Sequence, residues 1–173
     1  MKIPFQNIKL EEKIAFQNVV SQRKKFHYKK MGEEFQNFVS SIVDSGYTLK
    51  GPYFYSLNNT PMDEIVDIEM FFPIYENIFD VYKLPQFSYN SYFEIGPVFK
   101  NIATGNFEKN TEQTYAELIA TLEINNLEIN TPFFHVLSED GANYTYIFLG
   151  YSSNLIFEEN EDDAQDKSIN FGF

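Results

Sequence analysis

The sequence predicts an α+β fold in which two pseudo-symmetric β-α-β-β repeats form one largely antiparallel sheet with two helices on one face. The first observation is an internal repeat: residues 31–57 align with residues 111–137 at a constant offset of 80, without a gap. The second is that each copy has a helical stripe of apolar residues followed by strand-like segments. Because each helix has only one apolar face, it must pack on a sheet.

The first repeat, at about residues 12–75, is predicted to run strand, helix, strand, strand. Ile14 and Phe16 alternate with polar neighbours, as in a half-buried strand. Gly46 should end the helix, since glycine enters the left-handed conformation at little cost. The predicted elements are a strand at 12–20, the end of that strand and a turn at 21–28, a helix at 30–45, and strands at 52–57 and 65–74.

The second repeat, at about residues 91–153, follows a connector at 76–90 and has the same order. Asn125-Asn126 replaces glycine as the helix stop, because asparagine also tolerates the left-handed conformation. The predicted elements are a strand at 92–102 bent at Gly96-Pro97, a helix capped by Asn110 or Thr111, and strands at 132–137 and 144–151. Residues 1–153 are thus predicted to be a single domain, and residues 154–173 an acidic C-terminal tail in which Ile169, Phe171 and Phe173 could anchor an added strand.

The composition of the chain argues against several classes of function. The formal charge is −12, and the one basic cluster, residues 23–30, is small against 25 acidic residues, so nucleic-acid binding is not expected. The sequence contains no apolar run long enough to cross a membrane, no secretory signal and no cysteine. These features lead us to expect a cytoplasmic protein without a membrane partner. An acidic surface favours cationic ligands or basic proteins, although solubility alone also explains it.

Aromatic residues make up 18% of the chain, all of them Phe and Tyr. Some must form the core, and others could line a cleft at the seam between the repeats, because aromatic rings offer large contact areas at low entropic cost. His27 and His135 are far apart in sequence, and the acids have no recognised metal-ligand spacing, so we predict no metal site and no cofactor. The sequence contains no nucleophile elbow and no glycine-rich phosphate loop, and we predict that the protein is not an enzyme.

The order of these elements resembles the GyrI-like family of effector-binding domains over about residues 12–151. The motifs that carry the resemblance are Met31-Gly32-Glu33-Glu34-Phe35, Gly51-Pro52-Tyr53-Phe54-Tyr55, the strand at 67–74 and Leu84-Pro85. The family places a ligand between its two halves, where a glutamate on the last strand often meets a cationic ligand. The last strand here has no acid. In the first half, Glu69 occupies the position that corresponds to that glutamate, and its side chain faces either the cleft or solvent. Tyr146 is the counterpart of Glu69 on the last strand.

The resemblance implies a non-enzymatic module that binds a small apolar or cationic ligand, or a protein segment, in this cleft. The predicted ligand-binding residues are Tyr53, Tyr55, Glu69, Phe71, Phe133, His135, Tyr144 and Tyr146. The chain is also similar to proteins of Gram-positive bacteria that are encoded beside LXG-type secreted toxins. The segments that carry this similarity are Tyr89-Asn90-Ser91-Tyr92-Phe93 and residues 131–134. That similarity implies an alternative function, as an accessory, chaperone or immunity protein of a toxin. A third reading, in which Glu69 and a tyrosine act as general base and acid, is less favoured.

Overall fold

The computed structural model describes residues 1–105, 107–138 and 143–153. It confirms the predicted α+β class, with two helices and nine strands in the described residues. The predicted acidic tail, 154–173, lies outside them. The strands are β1 Lys9–Glu11, β2 Ile14–His27, β3 Phe54–Leu57, β4 Ile65–Pro73, β5 Ser88–Ile95, β6 Val98–Thr104, β7 Leu127–Ile129, β8 Phe133–Leu137 and β9 Tyr144–Ser153, and the helices are α1 Met31–Asp44 and α2 Phe107–Ile124.

The strands form one antiparallel sheet in the order β1-β6-β9-β8-β3-β4-β2-β5, with β7 added beside β9. The first repeat contributes β2, β3 and β4, and the second contributes β6, β8 and β9. The repeats meet where β3 pairs with β8. In that pairing Tyr55 lies opposite His135, which is its own counterpart at the offset of 80. A pseudo-twofold axis therefore passes through the Tyr55–His135 pair.

Both helices pack on the same face of the sheet. Phe38 and Ile42 of α1 are buried in one apolar cluster with Ile68 and Met70 of β4. Leu118 and Leu122 of α2 belong to a second cluster with residues of β6 and β9. The predicted apolar stripe is thus buried at its centre in both copies, whereas Val43 at the end of the first stripe is 48% exposed.

The face of the sheet that bears no described helix is also buried. A third cluster fills it, built from strand residues alone, and no helix residue takes part. Its rings lie close together; for example, those of Phe54 and Phe71 stack at a centroid distance of 4.6 Å. We call this surface the phenylalanine face, after Phe16, Phe54, Phe71, Phe93, Phe134 and Phe148.

The backbone conformation of Asn18 explains how the first part of β2 contributes side chains to the phenylalanine face. Its φ is 55°, the left-handed region that asparagine tolerates better than most residues. Across this residue the alternation shifts, so that Phe16 and Val19 share one cluster whereas Val20 belongs to the cluster under α1. The hydroxyl of Tyr89 on β5 donates to Asn18 Oδ1 at 2.7 Å and supports the kink. The kink lets the sheet curl over its own aromatic residues.

Residues 21–28, predicted to hold the end of the first strand and a turn, are almost entirely strand: they form the second half of β2, which pairs with β4 as far as His27. Acidic partners make this basic stretch compatible with a strand. Arg23 Nε and Nη2 each donate to Asp67 at 2.8 Å, and Lys24 forms an ion pair with Glu34 of α1 at 2.5 Å. The hydrogen bonds and charge of Arg23 hold the pKa of Asp67 below its usual value. Cross-strand pairing, which the local sequence does not reveal, overrode the turn signal.

The single bent strand predicted at 92–102 is also wrong. The chain breaks at Gly96-Pro97 into β5, which pairs with β2, and β6, which pairs with β9. Glycine is required at 96, since a Cβ there would lie 2.8 Å from Lys13 Cβ. No local pattern indicates that the two parts have different partners.

The predicted helix ends are confirmed at their C termini. Gly46 has φ 92° and Asn126 has φ 52°, both in the left-handed region. The start of α2 was placed too late, because the helix begins at Phe107, before either predicted cap. Asn110 lies inside the helix, where its side chain donates to the carbonyl of Thr104. Within the described residues, no helix is both long and apolar enough to span a membrane.

Two glycines give opposite expectations for the same substitution. At Gly150 of β9 a Cβ would collide with the side chain of Thr131 and lie 2.8 Å from Asn130 Oδ1, whereas at Gly32 of α1 nothing lies within 4 Å. We expect Gly150→Ala to lower the unfolding free energy by about 1–3 kcal/mol through overpacking. Gly32→Ala should raise it by about 0.5–1 kcal/mol through helix propensity. Urea unfolding of both variants checks this, and equal effects would contradict the close approach at Gly150.

Candidate functional site

Six rings line the junction of the repeats on the helix side of the sheet. Three come from each repeat, and they correspond pairwise at the offset of 80: Phe35 with Tyr115, Tyr53 with Phe133, and Tyr55 with His135. We call this group the aromatic seam. The helix residues Phe35 and Tyr115 close it from above. Tyr55 of β3, Phe133 and His135 of β8, and Tyr53 immediately before β3 supply the other four rings from below.

The ring contacts in the seam follow the pseudo-twofold axis. Tyr55 and His135 stack on the axis at a centroid distance of 4.5 Å. Phe35 contacts Tyr53 at 4.5 Å, and the equivalent pair, Tyr115 and Phe133, is stacked at 3.9 Å. The contact of Phe35 with Tyr55 and that of Tyr115 with His135 both measure 5.5 Å. The duplication has therefore preserved an arrangement of rings, and with it a common geometry at the centre of the fold.

The two repeats differ in where their polar atoms find partners. His135 is 4% exposed, and its Nε2 shares a hydrogen bond with the hydroxyl of Tyr115. Burial lowers the pKa of His135 to about 3, so the imidazole is neutral at neutral pH. Burial also raises the pKa of Tyr55 and Tyr115, which keeps both phenols protonated. The second repeat thus holds a neutral, internally paired polar couple.

In the first repeat Tyr53 has a hydroxyl that is buried and lacks a hydrogen-bond partner among the described residues. Its ring is surrounded by those of Phe35, Phe38, Tyr55 and Phe72. Burial strongly raises its pKa, so the group is a neutral phenol. A buried polar group without a partner costs roughly 1–3 kcal/mol. Such a group in an otherwise satisfied structure indicates a place where a bound molecule could supply the missing hydrogen bond.

One groove lies at each end of the seam. The first, with a volume of about 340 Å³, is lined by Tyr53 and Phe72, by the segment 49–52 and by the end of β8. The second, of about 370 Å³, is lined by the equivalent residues Phe133 and Leu149, by Ile129, Thr131 and Pro132, and by the end of β3; Arg23, Asn59 and Pro61 extend it. We call them groove A and groove B. They are related by the same pseudo-twofold axis as the rings.

The charges at the two grooves are of one sign. Groove A contains Lys50 and groove B contains Arg23, and no described lining residue of either groove is acidic. The six seam residues carry no carboxylate either. Arg23 is already paired with Asp67, so Lys50 makes groove A the one that suits an uncharged or anionic molecule better than a cation.

The eight residues predicted from the sequence divide equally between the two faces of the sheet. Tyr53, Tyr55, Phe133 and His135 come together in the seam. Phe71 and Tyr146 belong to the cluster of the phenylalanine face, and Tyr144 lies beside Tyr146 at a centroid distance of 5.2 Å. Alternation along β4 puts Glu69 on that face too, where its carboxylate accepts a hydrogen bond from Ser21 Oγ at 3.1 Å. The structure thus separates Glu69 from the four predicted residues of the seam and leaves it on the same face as Phe71 and Tyr146.

Strand register shows that Glu69 and Tyr146 occupy equivalent positions, as predicted. Ser56 pairs with Glu69 in the first repeat, and its counterpart Val136 pairs with Tyr146 in the second. Sequence reasoning did not select Phe35 and Tyr115, because both were attributed to the helix core. Their signal was present in the repeat: they are aromatic residues at equivalent positions of the two helices.

The two phenols of the seam should respond oppositely to removal of the hydroxyl. Tyr53→Phe deletes a buried group without a partner, so we expect the unfolding free energy to rise by about 1 kcal/mol. Tyr115→Phe leaves His135 without its partner and should lower the unfolding free energy by about 1 kcal/mol. Thermal unfolding would resolve these as shifts of roughly 2–4 °C in opposite directions. A fall in stability for Tyr53→Phe as well would show that the hydroxyl of Tyr53 is satisfied.

Several predictions are not tested by these features. The role as a toxin accessory depended on the acidic surface and on a tail that lies outside the described residues. The predictions that the chain is not an enzyme and resides in the cytoplasm also stay predictions.

A family model described as "Domain of unknown function (DUF5085)" matches residues 15–149. No curated protein matches the sequence significantly. Similar solved structures include the C-terminal domain of EcmrR, with a TM-score of 0.61 and 15% identity over 84% of this chain and 96% of that one. An uncharacterized conserved protein from Listeria innocua has a TM-score of 0.63 and 16% identity, over 86% of this chain and 94% of that one.

EcmrR is also similar in the cryo-EM structure of its complex with DNA, with a TM-score of 0.66 and 14% identity over 86% of this chain. There the match covers only 59% of the EcmrR chain. At these identities the similarity concerns the fold. It agrees with the predicted resemblance to effector-binding domains at that level.

Proposed function

This chain belongs to the DUF5085 family, a domain of unknown function, and we propose that it is a non-enzymatic module that binds a small aromatic molecule at the aromatic seam. The ligand enters from groove A and is uncharged or anionic. The observation that carries this proposal is the hydroxyl of Tyr53, buried among rings without a described partner. A ligand with one hydrogen-bonding group would satisfy it while its apolar part contacts the rings.

Three features support the location. Tyr53 lines groove A, so a molecule in the groove lies against the tyrosine with the unpaired hydroxyl. The groove has about 340 Å³, at the lower end of the range for small-molecule sites. Its other lining residues are largely apolar, and Lys50 at the rim suits an anionic group. The resemblance to GyrI-like domains also implies a ligand between the two halves.

The sequence left open an apolar or a cationic ligand, and the cationic alternative depended on Glu69 facing the cleft. We propose instead that charge selects against cations, since Glu69 lies on the phenylalanine face and the described lining residues supply one cation to each groove. The DNA in the EcmrR complex is a property of that protein, and we do not extend it to this chain, whose formal charge is −12.

A matched series of probes tests the proposal: 2-naphthol, 2-naphthoate and (2-naphthylmethyl)trimethylammonium, titrated calorimetrically into the full chain. The first two should bind, and the cation should bind about tenfold more weakly, a difference of about 1.4 kcal/mol. Tyr53→Phe should weaken binding of 2-naphthol about tenfold through loss of one hydrogen bond. Tyr82→Phe is the matched control, because Tyr82 is 94% exposed.

Two results would overturn this function. One is the absence of measurable binding for all three probes at millimolar concentration. The other is an affinity of 2-naphthol that Tyr53→Phe and Tyr82→Phe change equally. If the cationic probe binds more tightly than the other two, the chain would still be a binding module, but the charge selection that we propose would be wrong.

A further inference from the structure

The two ends of the sheet differ in the length of their outermost strand. At one end lies β1, with three residues, and at the other lies β5, with eight. Among the described residues β5 pairs with β2 alone, so alternate residues of β5 direct their N–H and C=O groups towards a side without a strand. Proteins usually protect such an edge with lysine, proline or a very short strand, because another strand can otherwise pair with it.

The shorter edge has this protection and the longer edge lacks it. Lys9 and Glu11 are charged residues of β1, and Glu11 forms an ion pair with Lys100 at 2.5 Å. β5 contains no lysine and no proline, and Glu94 is its one charged residue. The ammonium of Lys13 lies 3.1 Å from the carboxylate of Glu94 and neutralises its charge. The longer edge is therefore unprotected and carries no net charge.

The phenylalanine face is incompletely covered at this same edge. Its centre is fully buried, whereas its partly buried members are Ile14 and Phe16 of β2, Phe93 and Ile95 of β5, and Tyr146. Four of these five residues thus lie on the two outermost strands at the β5 end of the sheet. A further strand beside β5 would continue the sheet and bring its own apolar side chains against these residues. The open edge and the exposed part of the core are therefore one surface.

We propose that two copies of the chain join through β5, as antiparallel strands related by a twofold axis at Phe93. Each copy then covers the exposed end of the other's phenylalanine face. A pairing of identical edges closes after two molecules, whereas pairing of β5 with β1 would join at most three residues and leave a β5 edge free for further copies. The neutral edge suits a second copy, because two chains of formal charge −12 repel each other wherever their acids meet.

The side chains of β5 place the axis at Phe93. Residues that lie opposite each other in a sheet share a face. Phe93 and Ile95 belong to the phenylalanine face, so Tyr92 and Glu94 lie on the other face. Tyr89 packs under α1 instead, although it lies an even number of positions from Phe93, so regular alternation is confined to the second half of the strand. An axis at Phe93 pairs this half and sets Tyr92 opposite Glu94 of the second copy.

Sedimentation equilibrium of the full chain should show a dimer, with twice the chain mass of 20.3 kDa, at micromolar concentrations. Raising the ionic strength from ~0.01 M to ~0.15 M shortens the screening length from about 30 Å to about 8 Å, and it should lower the dissociation constant at least about tenfold. The reason is that screening reduces the repulsion between two acidic molecules. A dimer held by ion pairs would show the opposite trend.

Two substitutions of Tyr92 test the register. Tyr92→Glu sets a carboxylate opposite Glu94 of the second copy, twice in each dimer, and should raise the dissociation constant at least about tenfold. Tyr92→Lys sets an ammonium at the same place and should keep the dimer. Tyr28→Glu is the matched control for the added charge, because Tyr28 lies outside β5 and is 47% exposed, against 52% for Tyr92. It should leave the dissociation constant unchanged.

The cysteine-free sequence allows cross-linking through a single introduced thiol. The two Tyr92 positions are diagonal neighbours across the axis, about 7–8 Å apart, so a short bis-maleimide should link Tyr92→Cys chains into dimers. Leu10→Cys on β1, at a residue that is 47% exposed, should stay unlinked.

Four results would overturn the proposal. The first is a chain that remains monomeric at the higher ionic strength, and the second is a dimer that Tyr92→Glu and Tyr28→Glu weaken equally. The third is a dimer that Tyr92→Lys weakens as much as Tyr92→Glu, since the register would then be wrong. The fourth is cross-linking through Leu10→Cys rather than through Tyr92→Cys.

Discussion

Phe54→Ala is expected to lower the unfolding free energy by about 3–5 kcal/mol, the range for truncation of a buried phenylalanine. Phe54 is 0% exposed in the short central strand β3. Its ring stacks on those of Phe16 and Phe71, each at a centroid distance of 4.6 Å. No described helix residue packs on this face, so the rings themselves form the interior, and removing the central one leaves a cavity that its neighbours can only partly fill.

Urea unfolding measures the loss, and Tyr82→Ala is the control, since its side chain is 94% exposed and should cost less than about 0.5 kcal/mol. Should Phe54→Ala fail to fold, Phe54→Leu, with an expected cost of about 1.5 kcal/mol, gives the same information. Equal stability of the Phe54 and Tyr82 variants would mean that the phenylalanine face is not a core.

Acidification from pH 7.5 to 5 is expected to cost about 2 kcal/mol of unfolding free energy through His135 alone. The folded-state pKa of His135 is lowered to about 3 by burial, below the unfolded value of about 6.5. The contribution is therefore complete above about pH 6.5 and is lost as the pH falls from there towards 3. Asp67, whose pKa is also lowered, adds a loss that begins only near the ordinary pKa of a carboxyl group.

Unfolding of His135→Gln in urea at pH 7.5, 6 and 5 isolates this effect. The amide can still share a hydrogen bond with Tyr115, and the slope between pH 7.5 and 5 should flatten. His27→Gln, at the partly exposed end of β2, is the matched control and should keep the slope of the original chain. A slope that His135→Gln leaves unchanged would show that the imidazole is accessible to protons in the folded state.

The duplication explains why the candidate site lies at the centre of the sheet. The two repeats join through β3 and β8, so equivalent residues meet at the axis and the grooves form in a pair. Function then depends on where the copies differ. Tyr115 has a partner in His135, whereas the equivalent residue of the first repeat is Phe35, and the phenol there is the unpaired Tyr53.

The sequence by itself determined the features that depend on local physics. Helical spacing identified α1 and most of α2, and left-handed residues marked their ends, because periodicity and backbone conformation are properties of neighbouring residues. The offset of 80 identified the symmetry and placed Tyr53, Tyr55, Phe133 and His135 at the junction. These four predictions needed no knowledge of which strands pair.

Only the tertiary structure decided which face each strand residue occupies and which strand it meets. Glu69 and Phe71 each lie one position from Met70 in the sequence. Because side chains alternate along a strand, Met70 lies on one face of β4 and the other two lie on the opposite face. The extension of β2 to His27 and the division at Gly96-Pro97 depend on partners distant in sequence. The unpaired state of the Tyr53 hydroxyl likewise depends on every group packed around it, so no local pattern could have shown it.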